Sequence, residues 1–401
     1  MKLCFYVDEV TPHLLPLAEK MVEKLGIAEV RYVYCKRLHA ERTGMGWQEQ
    51  KKEWILYRHD FPQEAERWIL GAEVLFCRIR DVGVWKKRDS EKRITLYMSE
   101  RWFRPRHLIT VCGRDIMLPG VVCIFKPGFF SMMVNAIRFF THSKFMIYLP
   151  AGIYAAQDMA RICGIFNFNV KCLFKAPSLS FEKRPFGRLY ADNQNDARSY
   201  CLSRMRMWAY YVAPSTLRQQ CFTRRRKADG ELHIIWAGRL IALKRLDVVI
   251  RAIKAQESAW KAQDTHTRFF LDIYGDGPYL RKILKLSTGC EAIRIYSSAP
   301  YNKIREIIRA HDVLVLSSNE EEGWGAVINE ALEEGVEAVG TCDAGASATL
   351  LQDSRCFRSG DWRSLLKILR EIDCSIGTRA DEFLWTAEAA SSILTREYFT
   401  V

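Results

Sequence analysis

Short apolar runs alternate with amphipathic segments over the first half of the chain. Apolar runs bounded by turn residues predict buried strands, and apolar positions spaced three and four apart predict helices. The pattern predicts strands at residues 2–7, 30–35, 72–78 and 95–99 and helices at residues 14–25 and 64–70. Thr11 and Pro12 are expected to supply the N-cap and first-turn proline of the first helix. This rhythm predicts a mostly parallel sheet with helices on both faces.

The same alternation restarts after residue 230. Strands are predicted at residues 232–236, 268–274, 292–296, 313–316 and 338–341, and helices at residues 245–255, 279–286, 301–309, 326–334, 361–373 and 379–398. Between the two halves, residues 208–215 predict a short strand with a turn, and residues 224–230 predict a polar, mobile linker. A chain of 401 residues is long for a single core. The expected fold class is therefore α/β, with two doubly wound Rossmann-like domains.

Charge is distributed unevenly between these halves. Residues 1–213 contain 34 Lys and Arg against 21 Asp and Glu, whereas the remainder contains 26 of each, so the first half carries the whole net charge of +13. A field of this kind favours an anionic partner such as phospholipid, a phosphorylated acceptor or nucleic acid. The alternative is that the charge serves solubility alone.

Cysteine usage and apolar run lengths restrict the class of protein further. The 13 cysteines are scattered and form no C-x-x-C pair, which indicates reduced cytosolic thiols rather than a zinc site or disulfide framework. The first residues are too short an apolar stretch for a secretory signal. The longest uncharged runs, residues 127–137 and 145–157, are shorter than the roughly 17–25 residues that a spanning helix needs. The expected localisation is cytoplasmic.

Residues 125–157 are unusually rich in aromatic residues and methionine. A helix here would place apolar side chains on one broad face, namely Phe129, Met132, Met133, Ala136, Phe139 and Phe140. Such a face suits an element at a membrane interface, and it suits a core helix equally well. Both interpretations stay open at the level of sequence, and with the basic charge they make peripheral association with an anionic membrane surface an expectation.

The most informative motif places two glutamates eight positions apart. Glu322 and Glu330 follow the apolar run 311–318, and the segment between them contains Gly323, Trp324 and Gly325. This order predicts a buried strand, a glycine loop and a helix start, with Glu322 in the loop and Glu330 two turns into the helix. Such a loop can hold a charged, polyhydroxylated ligand against backbone N–H groups.

Four segments resemble retaining glycosyltransferases of family four, which adopt the GT-B fold. They are residues 236–247, residues 273–278, residues 310–330 and residues 385–394, and they occur in the family's order. The resemblance implies an N-terminal acceptor domain over residues 1–213 and a nucleotide-sugar domain over residues 214–384, facing across a cleft. Residues 385–401 would form a crossover helix that packs on the first domain. Residues 208–215 are similar to the strand that leads into the second domain in bacterial polysaccharide-type members.

The chemistry of a nucleotide sugar assigns roles to the charged residues. Arg239 can clamp the diphosphate bidentately and Lys244 can supply a point charge, and both would stabilise the anionic leaving group. Glu330 is placed to accept hydrogen bonds from ribose hydroxyls, and Glu322 would lie near the transferred sugar. Backbone N–H groups at residues 323–325 would face sugar or diphosphate oxygens. The alternatives are that Arg239 and Lys244 merely flank a turn and that Glu322 belongs to a solvated acidic run.

Further expectations depend on the resemblance. Gly238, Gly275 and Gly277 would lie near the donor, although turn structure alone would explain the last two. The family's mechanism implies transfer of a hexose with retention of configuration and without a protein nucleophile. No Asp-x-Asp lies near a strand end, so neither a metal nor another cofactor is expected. The expected partners are a UDP- or GDP-sugar and a glycan or lipid-linked acceptor, in surface polysaccharide or glycolipid synthesis.

The acceptor side is less clearly marked. His13, Glu100 and Asp158 are the candidates. Each has a structural alternative: a helix-capping surface histidine, an ion pair with the adjacent arginine, and a charge in the first turn of a helix. Residues 8–13 contain no glycine, unlike the first loop of many family members.

Two other classes of protein were weighed against the transferase. A dinucleotide oxidoreductase needs Gly-x-Gly-x-x-Gly after a strand, and the chain lacks that spacing at Gly238 and Gly275. A non-catalytic nucleotide- or nucleic-acid-binding protein would use the basic first half, but that interpretation leaves the glutamates of the neutral half unexplained. Nucleic acid is therefore not the expected partner.

Overall fold

Two compact units make up the chain. The computed structural model describes residues 1–38, 43, 49, 51–103, 106–111, 114–119, 131, 134–135, 138–140, 142–166, 176–182, 184–192, 202–214, 230–372 and 385–399. The first unit comprises Met1–His39, Gln48–Ala213 and Trp385–Val401, and the second comprises Ala40–Trp47 and Pro214–Leu384. The linker expected at residues 224–230 lies outside the described residues except for its last one.

The first unit contains ten described strands and, before the end of the chain, four helices with assigned bounds. The strands are β1 (Leu3–Val7), β2 (Val30–Tyr34), β3 (Ile55–Tyr57), β4 (Val74–Cys77), β5 (Ile94–Ser99), β6 (Arg106–Val111), β7 (Arg114–Pro119), β8 (Met146–Pro150), β9 (Leu179–Phe181) and β10 (Leu189–Ala191). The helices are α1 (Leu15–Leu25), α2 (Pro62–Gly71), α3 (Val82–Ser90) and α4 (Ile153–Phe166).

Six of these strands form one parallel sheet in the order β3-β2-β1-β4-β5-β8. The central strands β1 and β4 are buried along their whole length, as expected for strands covered by helices on both faces. The strand order reverses between β1 and β4, which is the switch point of a doubly wound sheet. Two antiparallel pairs, β6 with β7 and β9 with β10, lie outside this sheet.

Two expectations for the first unit are wrong, and several of its elements were not predicted. Thr11 does not cap α1 and Pro12 does not lie in its first turn, because the helix begins at Leu15, its N-cap is Leu14 without a side-chain cap bond, and its first-turn proline is Pro16. No strand forms over residues 208–214, where the backbone makes an isolated bridge from Trp208 to Ala151. Strands β3 and β6 to β10 and helix α3 were not predicted.

Two of the six residues on the predicted apolar face lie in the core, whereas Val134 of the same segment is 39% exposed. Phe139 and Phe140 are only 4% and 3% exposed, and both pack against Trp85. Residues 146–150 form β8 and residues 153–157 begin α4. The core interpretation therefore holds for these residues, because the neighbouring aromatic rings supply the apolar partners. Phe129, Met132, Met133 and Ala136 lie outside the described residues.

The second unit repeats the architecture. Its strands are β11 (Glu231–Ala237), β12 (Arg268–Tyr274), β13 (Ile293–Tyr296), β14 (Val313–Leu316), β15 (Glu337–Thr341) and β16 (Cys356–Phe357). Its helices are α5 (Leu246–Lys261), α6 (Leu280–Ser287), α7 (Tyr301–Arg309), α8 (Val327–Glu333), α9 (Gly345–Leu350) and α10 (Trp362–Glu371). A 3₁₀ turn at Ala242–Lys244 precedes α5.

The parallel sheet of the second unit has the order β13-β12-β11-β14-β15-β16. Its switch point lies between β11 and β14. The inward side chains of β11, β12 and β14 pack with α5 and α10 in one apolar core. Helix α5 contributes because apolar residues recur on one of its faces, from Leu246 to Ile253.

The last helix, α11 (Ala387–Tyr398), belongs to the first unit and packs against α1. Thr386 caps it by accepting from the Ala389 N–H group. Lys24 on α1 bonds Glu388 at 2.7 Å and Ser392 at 2.8 Å. The helix predicted for the end of the chain thus returns to the N-terminal domain, as the fold class requires.

Candidate active site

The candidate site of the second unit lies at the carboxyl ends of β11 and β14. Parallel strands place the loops that follow them at one edge of the sheet, and ligands of doubly wound folds bind where the strand order reverses. Arg239 and Lys244 follow β11, whereas Glu322 and Glu330 follow β14. The fold therefore gathers all four predicted residues at the same edge.

Lys244 and Glu322 form an ion pair across this switch point. The Lys244 Nζ atom lies 2.5 Å from the Glu322 Oε2 atom, and the two side chains are 17% and 15% exposed. The Ser318 hydroxyl also donates to Glu322 Oε2, at 2.8 Å. Burial alone would raise the pKa of Glu322, but Lys244, Ser318 and the charge of Arg239 together lower that pKa. Glu322 is therefore a carboxylate at neutral pH.

Three hydrogen bonds fasten the two loops that carry this pair. The Ser317 hydroxyl donates to the Lys244 carbonyl at 2.7 Å and accepts from the Trp236 indole at 3.2 Å. The Asn319 N–H group donates to the Leu243 carbonyl at 2.8 Å. The ion pair is thus supported by a fixed backbone on both sides.

Gly275 and Gly277 let the turn after β12 lie against the loop after β11. A Cβ atom at Gly275 would stand 2.0 Å from the Gly238 carbonyl oxygen, and one at Gly277 would stand 2.6 Å from the Leu240 carbonyl oxygen. Gly277 also has a positive φ of 147°. Close backbone packing explains why both positions are glycine. Gly238 itself makes only ordinary contacts.

The loop between the glutamates packs tightly against the sheet. Gly325 adopts a φ of 92°, and a Cβ atom there would stand 2.5 Å from Leu316. The Trp324 indole is 3% exposed and donates to Asn329 at 2.7 Å. A Cβ atom at Gly345 would stand 2.7 Å from the Gly323 carbonyl oxygen. The Trp324 side chain is thus part of the core, and only backbone groups of residues 323–325 can serve a ligand.

Glu330 lies in the first turn of α8, not two turns into the helix. The helix itself begins at Val327, within one residue of the predicted start at residue 326, and Ala326 before it already has right-handed helical angles. The Glu330 side chain is largely buried, and it lies near Tyr301, whose pKa is raised by burial and further by the charge of Glu330. Arg239 is exposed, and its charge acts on Glu322.

A cavity of about 260 Å³ adjoins the site on the side of α5 and α6. Its basic lining residues are Lys244, Arg245 and Lys282. Arg245 has a left-handed backbone with a φ of 46°, and its guanidinium bonds Asp247 at 3.0 Å. Asp247 also lines the cavity and offsets the Arg245 charge, so the additional positive charge beside the ion pair comes from Lys282.

In the first unit, two of the three acceptor-side candidates meet at Tyr210. The Tyr210 hydroxyl donates to the Glu100 carboxylate at 2.6 Å and accepts from Arg78 at 2.8 Å. The His13 ring packs edge-on against the Tyr210 ring at 6.2 Å. Arg78 and Glu100 follow β4 and β5, so this cluster lies at the carboxyl edge of the first sheet.

Asp158 is not bonded to Tyr210, and its hydrogen bonds hold backbone and a neighbouring arginine in place. Its Oδ2 atom accepts the N–H groups of Trp102 and Phe103 at 2.7 and 2.8 Å, and its Oδ1 atom accepts from Arg161 at 2.8 Å. Burial raises the pKa of Asp158, although these hydrogen bonds and the charges of Arg101 and Arg161 oppose the rise. The carboxylate thus fixes the loop that follows β5.

Ser317 and Ser318 are the site residues that sequence reasoning missed. They close the apolar run of β14, and their hydroxyl groups bond the Lys244 carbonyl and the Glu322 carboxylate. The available signal was their position, because polar residues directly after a central parallel strand lie at the ligand edge of the sheet.

The described residues contain no group of three or more His, Cys, Asp and Glu side chains arranged to hold a metal ion. Within the same residues, no helix has both the length and the apolar character that crossing a membrane requires.

Residues 218–372 match the family model described as glycosyl transferases group 1. No curated protein sequence matches the chain. The matched region contains the ion pair, both glutamates and all four close glycine contacts described above.

Solved structures resemble the whole chain. An E. coli structure described as trehalose-6-phosphate bound with UDP-2-fluoro glucose has a TM-score of 0.59 at 10% identity, covering 100% of this chain and 99% of the other. WaaG, a glycosyltransferase involved in lipopolysaccharide biosynthesis, has a TM-score of 0.54 at 12% identity, covering 98% and 99%. HepE of Anabaena in complex with UDP has a TM-score of 0.52 at 14% identity, covering 99% and 96%.

At these identities the likeness establishes the fold alone. The chain is similar to GT-B proteins over its full length, and the two six-stranded parallel sheets confirm the predicted fold class. The comparisons thus give the chain a GT-B fold, and within it residues 218–372 match the glycosyl transferases group 1 model.

Proposed function

We propose that the protein is a retaining hexosyltransferase that moves a sugar from a UDP- or GDP-linked donor to a glycan or lipid-linked acceptor. The observation that carries this proposal is the Lys244–Glu322 ion pair across the β11–β14 switch point, within the region that matches the group 1 model. A cation fixed at this edge suits an anionic leaving group, and an adjacent carboxylate suits a sugar hydroxyl.

Each charged residue has a role in the proposed reaction. Lys244 and Arg239 neutralise the diphosphate as the bond from the anomeric carbon to its oxygen breaks. The acceptor hydroxyl oxygen then bonds that carbon, and its proton passes to the departing phosphate oxygen. Glu322 accepts from the transferred sugar and Glu330 from the ribose. Because protein cations supply the counter-charge, we propose that transfer needs no metal, and EDTA should leave turnover unchanged.

The donor can be identified with a hydrolysis screen. UDP is the first nucleotide to test, since structural neighbours contain UDP and UDP-2-fluoro glucose. Purified protein is incubated with a panel of UDP- and GDP-sugars, and release of UDP or GDP is measured. We expect slow release from one donor, and calorimetry should show binding of its nucleotide.

Variants connect any signal to this site. Glu330→Ala should weaken nucleotide binding, because a ribose contact is lost. Glu321→Gln is the matched control, since this neighbouring acid is not part of the ion pair. If neither UDP nor GDP binds, and if Glu330→Ala behaves like the native protein, the proposed function is refuted.

We also propose that the acceptor lies at an anionic membrane surface, which would make the protein cytoplasmic and peripheral. The support is the basic charge of residues 1–213, which contain 34 Lys and Arg residues but 21 Asp and Glu residues. WaaG, a neighbour in fold, acts in lipopolysaccharide biosynthesis, which suggests surface polysaccharide or glycolipid synthesis as the setting. Co-sedimentation with anionic but not zwitterionic vesicles, lost at high salt, would support the membrane contact, and equal sedimentation with both would oppose it.

A further inference from the structure

The Lys244 ammonium already has a strong anionic partner in the protein. Glu322 holds it at 2.5 Å, and the same carboxylate oxygen accepts from Ser318 at 2.8 Å. Both charged side chains are mostly buried, so water screens their attraction less than at the surface. Any diphosphate that uses Lys244 must share it with this carboxylate or displace it.

We propose that Glu322 competes with the diphosphate for Lys244, and that this competition weakens binding of the free nucleoside diphosphate and so promotes product release. The inference rests on the proposed function, because it takes the diphosphate to bind at Lys244. It adds that Glu322 discriminates the sugar-bearing donor from the product that remains after transfer.

The competition has two physical components. A diphosphate that approaches Lys244 brings negative charge close to the Glu322 carboxylate, and like charges repel more strongly in a partly buried site than in water. The lysine must also give up part of a short, charge-assisted hydrogen bond. Both components oppose the binding of a free nucleotide. In Glu322→Gln the repulsion disappears, and the hydrogen bond to Lys244 weakens because its acceptor is no longer charged.

The local scaffold prevents Glu322 from simply turning away. Its N–H group donates to the Asn319 carbonyl at 3.0 Å, and the Asn319 N–H group donates to the Leu243 carbonyl at 2.8 Å. Ser318 holds the carboxylate itself. A rotation of Glu322 away from the diphosphate would therefore break the Ser318 hydrogen bond and leave a carboxylate without partners in a confined space.

A sugar on the nucleotide changes this balance. Its hydroxyl groups can donate to the carboxylate and replace the hydrogen bond that Lys244 transfers to the diphosphate. After transfer those donors leave with the product glycan, and Glu322 and the nucleotide again compete for Lys244. The Glu322 carboxylate thus favours binding of the nucleotide sugar and disfavours binding of the free nucleoside diphosphate.

Calorimetric titration of the full chain with UDP and GDP tests the inference. Glu322→Gln keeps the size of the side chain and removes its charge. We expect this variant to bind the nucleotide about tenfold more tightly than the native protein, a change of about 1.4 kcal/mol. Glu321→Gln, the neutralised neighbour, should stay within about twofold of the native dissociation constant, because it does not contact Lys244.

A second comparison isolates the competition for the lysine. In a Lys244→Met background the gain from Glu322→Gln should shrink, since no ammonium remains to be shared. UDP-glucose should gain less than UDP from Glu322→Gln in the native background. Thermal unfolding and circular dichroism confirm that every variant is folded before its affinity is compared.

The inference and the proposed function fail in different ways. If native protein binds UDP or GDP and Glu322→Gln binds no more tightly, the competition is refuted while the nucleotide site stands. A gain of equal size with and without Lys244 would also refute competition for the lysine. If the native protein binds neither nucleotide, the proposed function fails and this inference fails with it.

Discussion

The two units contain sheets of the same topology, but the residues at the ligand edge of each sheet differ. Both sheets reverse strand order beside their first strand, between β1 and β4 in one unit and between β11 and β14 in the other. In the second unit the loops at this edge approach through glycine backbone, and one Lys–Glu pair spans the reversal. In the first unit long side chains fill the edge, with Tyr210 joining Arg78 to Glu100.

This difference shows which properties the topology decides. The strand order brings loops together at one edge in both units, whatever their residues are. In the second unit Gly275 and Gly277 then allow the turn after β12 to pack on the loop after β11, and the Ser317 and Asn319 hydrogen bonds join that loop to the one that carries Glu322. The loop after β1 has no glycine, so its chemistry comes from side chains that converge from distant segments. The region that matches a family model is accordingly the second unit, where local motifs carry the site.

Removing the Lys244 charge should have the largest effect on the second unit. In the proposed reaction Lys244 is the mostly buried cation beside the leaving group. Lys244→Met would remove this fixed group, which stabilises developing charge, and turnover should fall by about 100-fold or more. The measurement is nucleotide release from the donor identified by the screen. Lys285→Met, on α6 and away from the ion pair, is the control and should retain native turnover. Equal loss in both variants would mean that net charge, and not this site, drives the rate.

The glycine packing gives the next largest effect, on stability. Gly275→Ala forces a Cβ atom against the Gly238 carbonyl, where it would stand at 2.0 Å, so backbone must move. We expect the free energy of unfolding to fall by about 2–4 kcal/mol. Urea denaturation measures this loss. Gly71→Ala is the matched control in the first unit. A Cβ atom at Gly71 meets nothing within 4 Å, and helix α2 should be slightly stabilised.

Sequence patterns predicted the second unit well because its information is local. The apolar run of β14 and the residues that follow it lie within one short segment, so the loop and the start of α8 could be placed from sequence. The predicted start of α8 at residue 326 agrees with the observed start at Val327 within one residue, although Glu330 lies in the first turn and not two turns into the helix. Strand β16, only two residues long, and helix α9 were also missed, because neither is long enough to show a period.

The first unit exposes the limit of the same approach. Asp158 was a candidate for the acceptor side, yet its hydrogen-bond partners are the N–H groups of Trp102 and Phe103, more than 50 residues earlier. His13 and Glu100 were chosen separately, and only the fold shows that both lie beside Tyr210. Long-range convergence of this kind leaves no period or spacing in the sequence. The roles of His13 and Glu100 toward an acceptor stay predictions.

Asp158 offers a test of the side-chain scaffold. Asp158→Ala leaves two backbone N–H groups and Arg161 without their acceptor, and we expect a loss of about 2–3 kcal/mol in the free energy of unfolding. Asp158→Asn keeps one carbonyl oxygen for the N–H groups and should lose about 1 kcal/mol. Urea denaturation provides both values. If alanine and asparagine are equally harmful, the carboxylate charge rather than the loop contact is what matters.

Tyr210 provides the smallest and most selective test of the comparison. Tyr210→Phe keeps the ring and removes the hydroxyl that joins Arg78 to Glu100, so the free energy of unfolding should fall by about 1–2 kcal/mol. Tyr190→Phe is the matched control, because its hydroxyl also bonds a glutamate, Glu182 at 2.8 Å, but on an exposed surface. That control should lose less than about 0.5 kcal/mol. Thermal unfolding measures the stability of both variants.

Nucleotide affinity gives a second readout for Tyr210→Phe. Calorimetry with UDP should show the affinity of the native protein, since the nucleotide is assigned to the other unit. If Tyr210→Phe binds UDP more weakly while its stability equals that of the native protein, the edge of the first sheet takes part in nucleotide binding. The assignment of the nucleotide to the second unit alone would then be wrong.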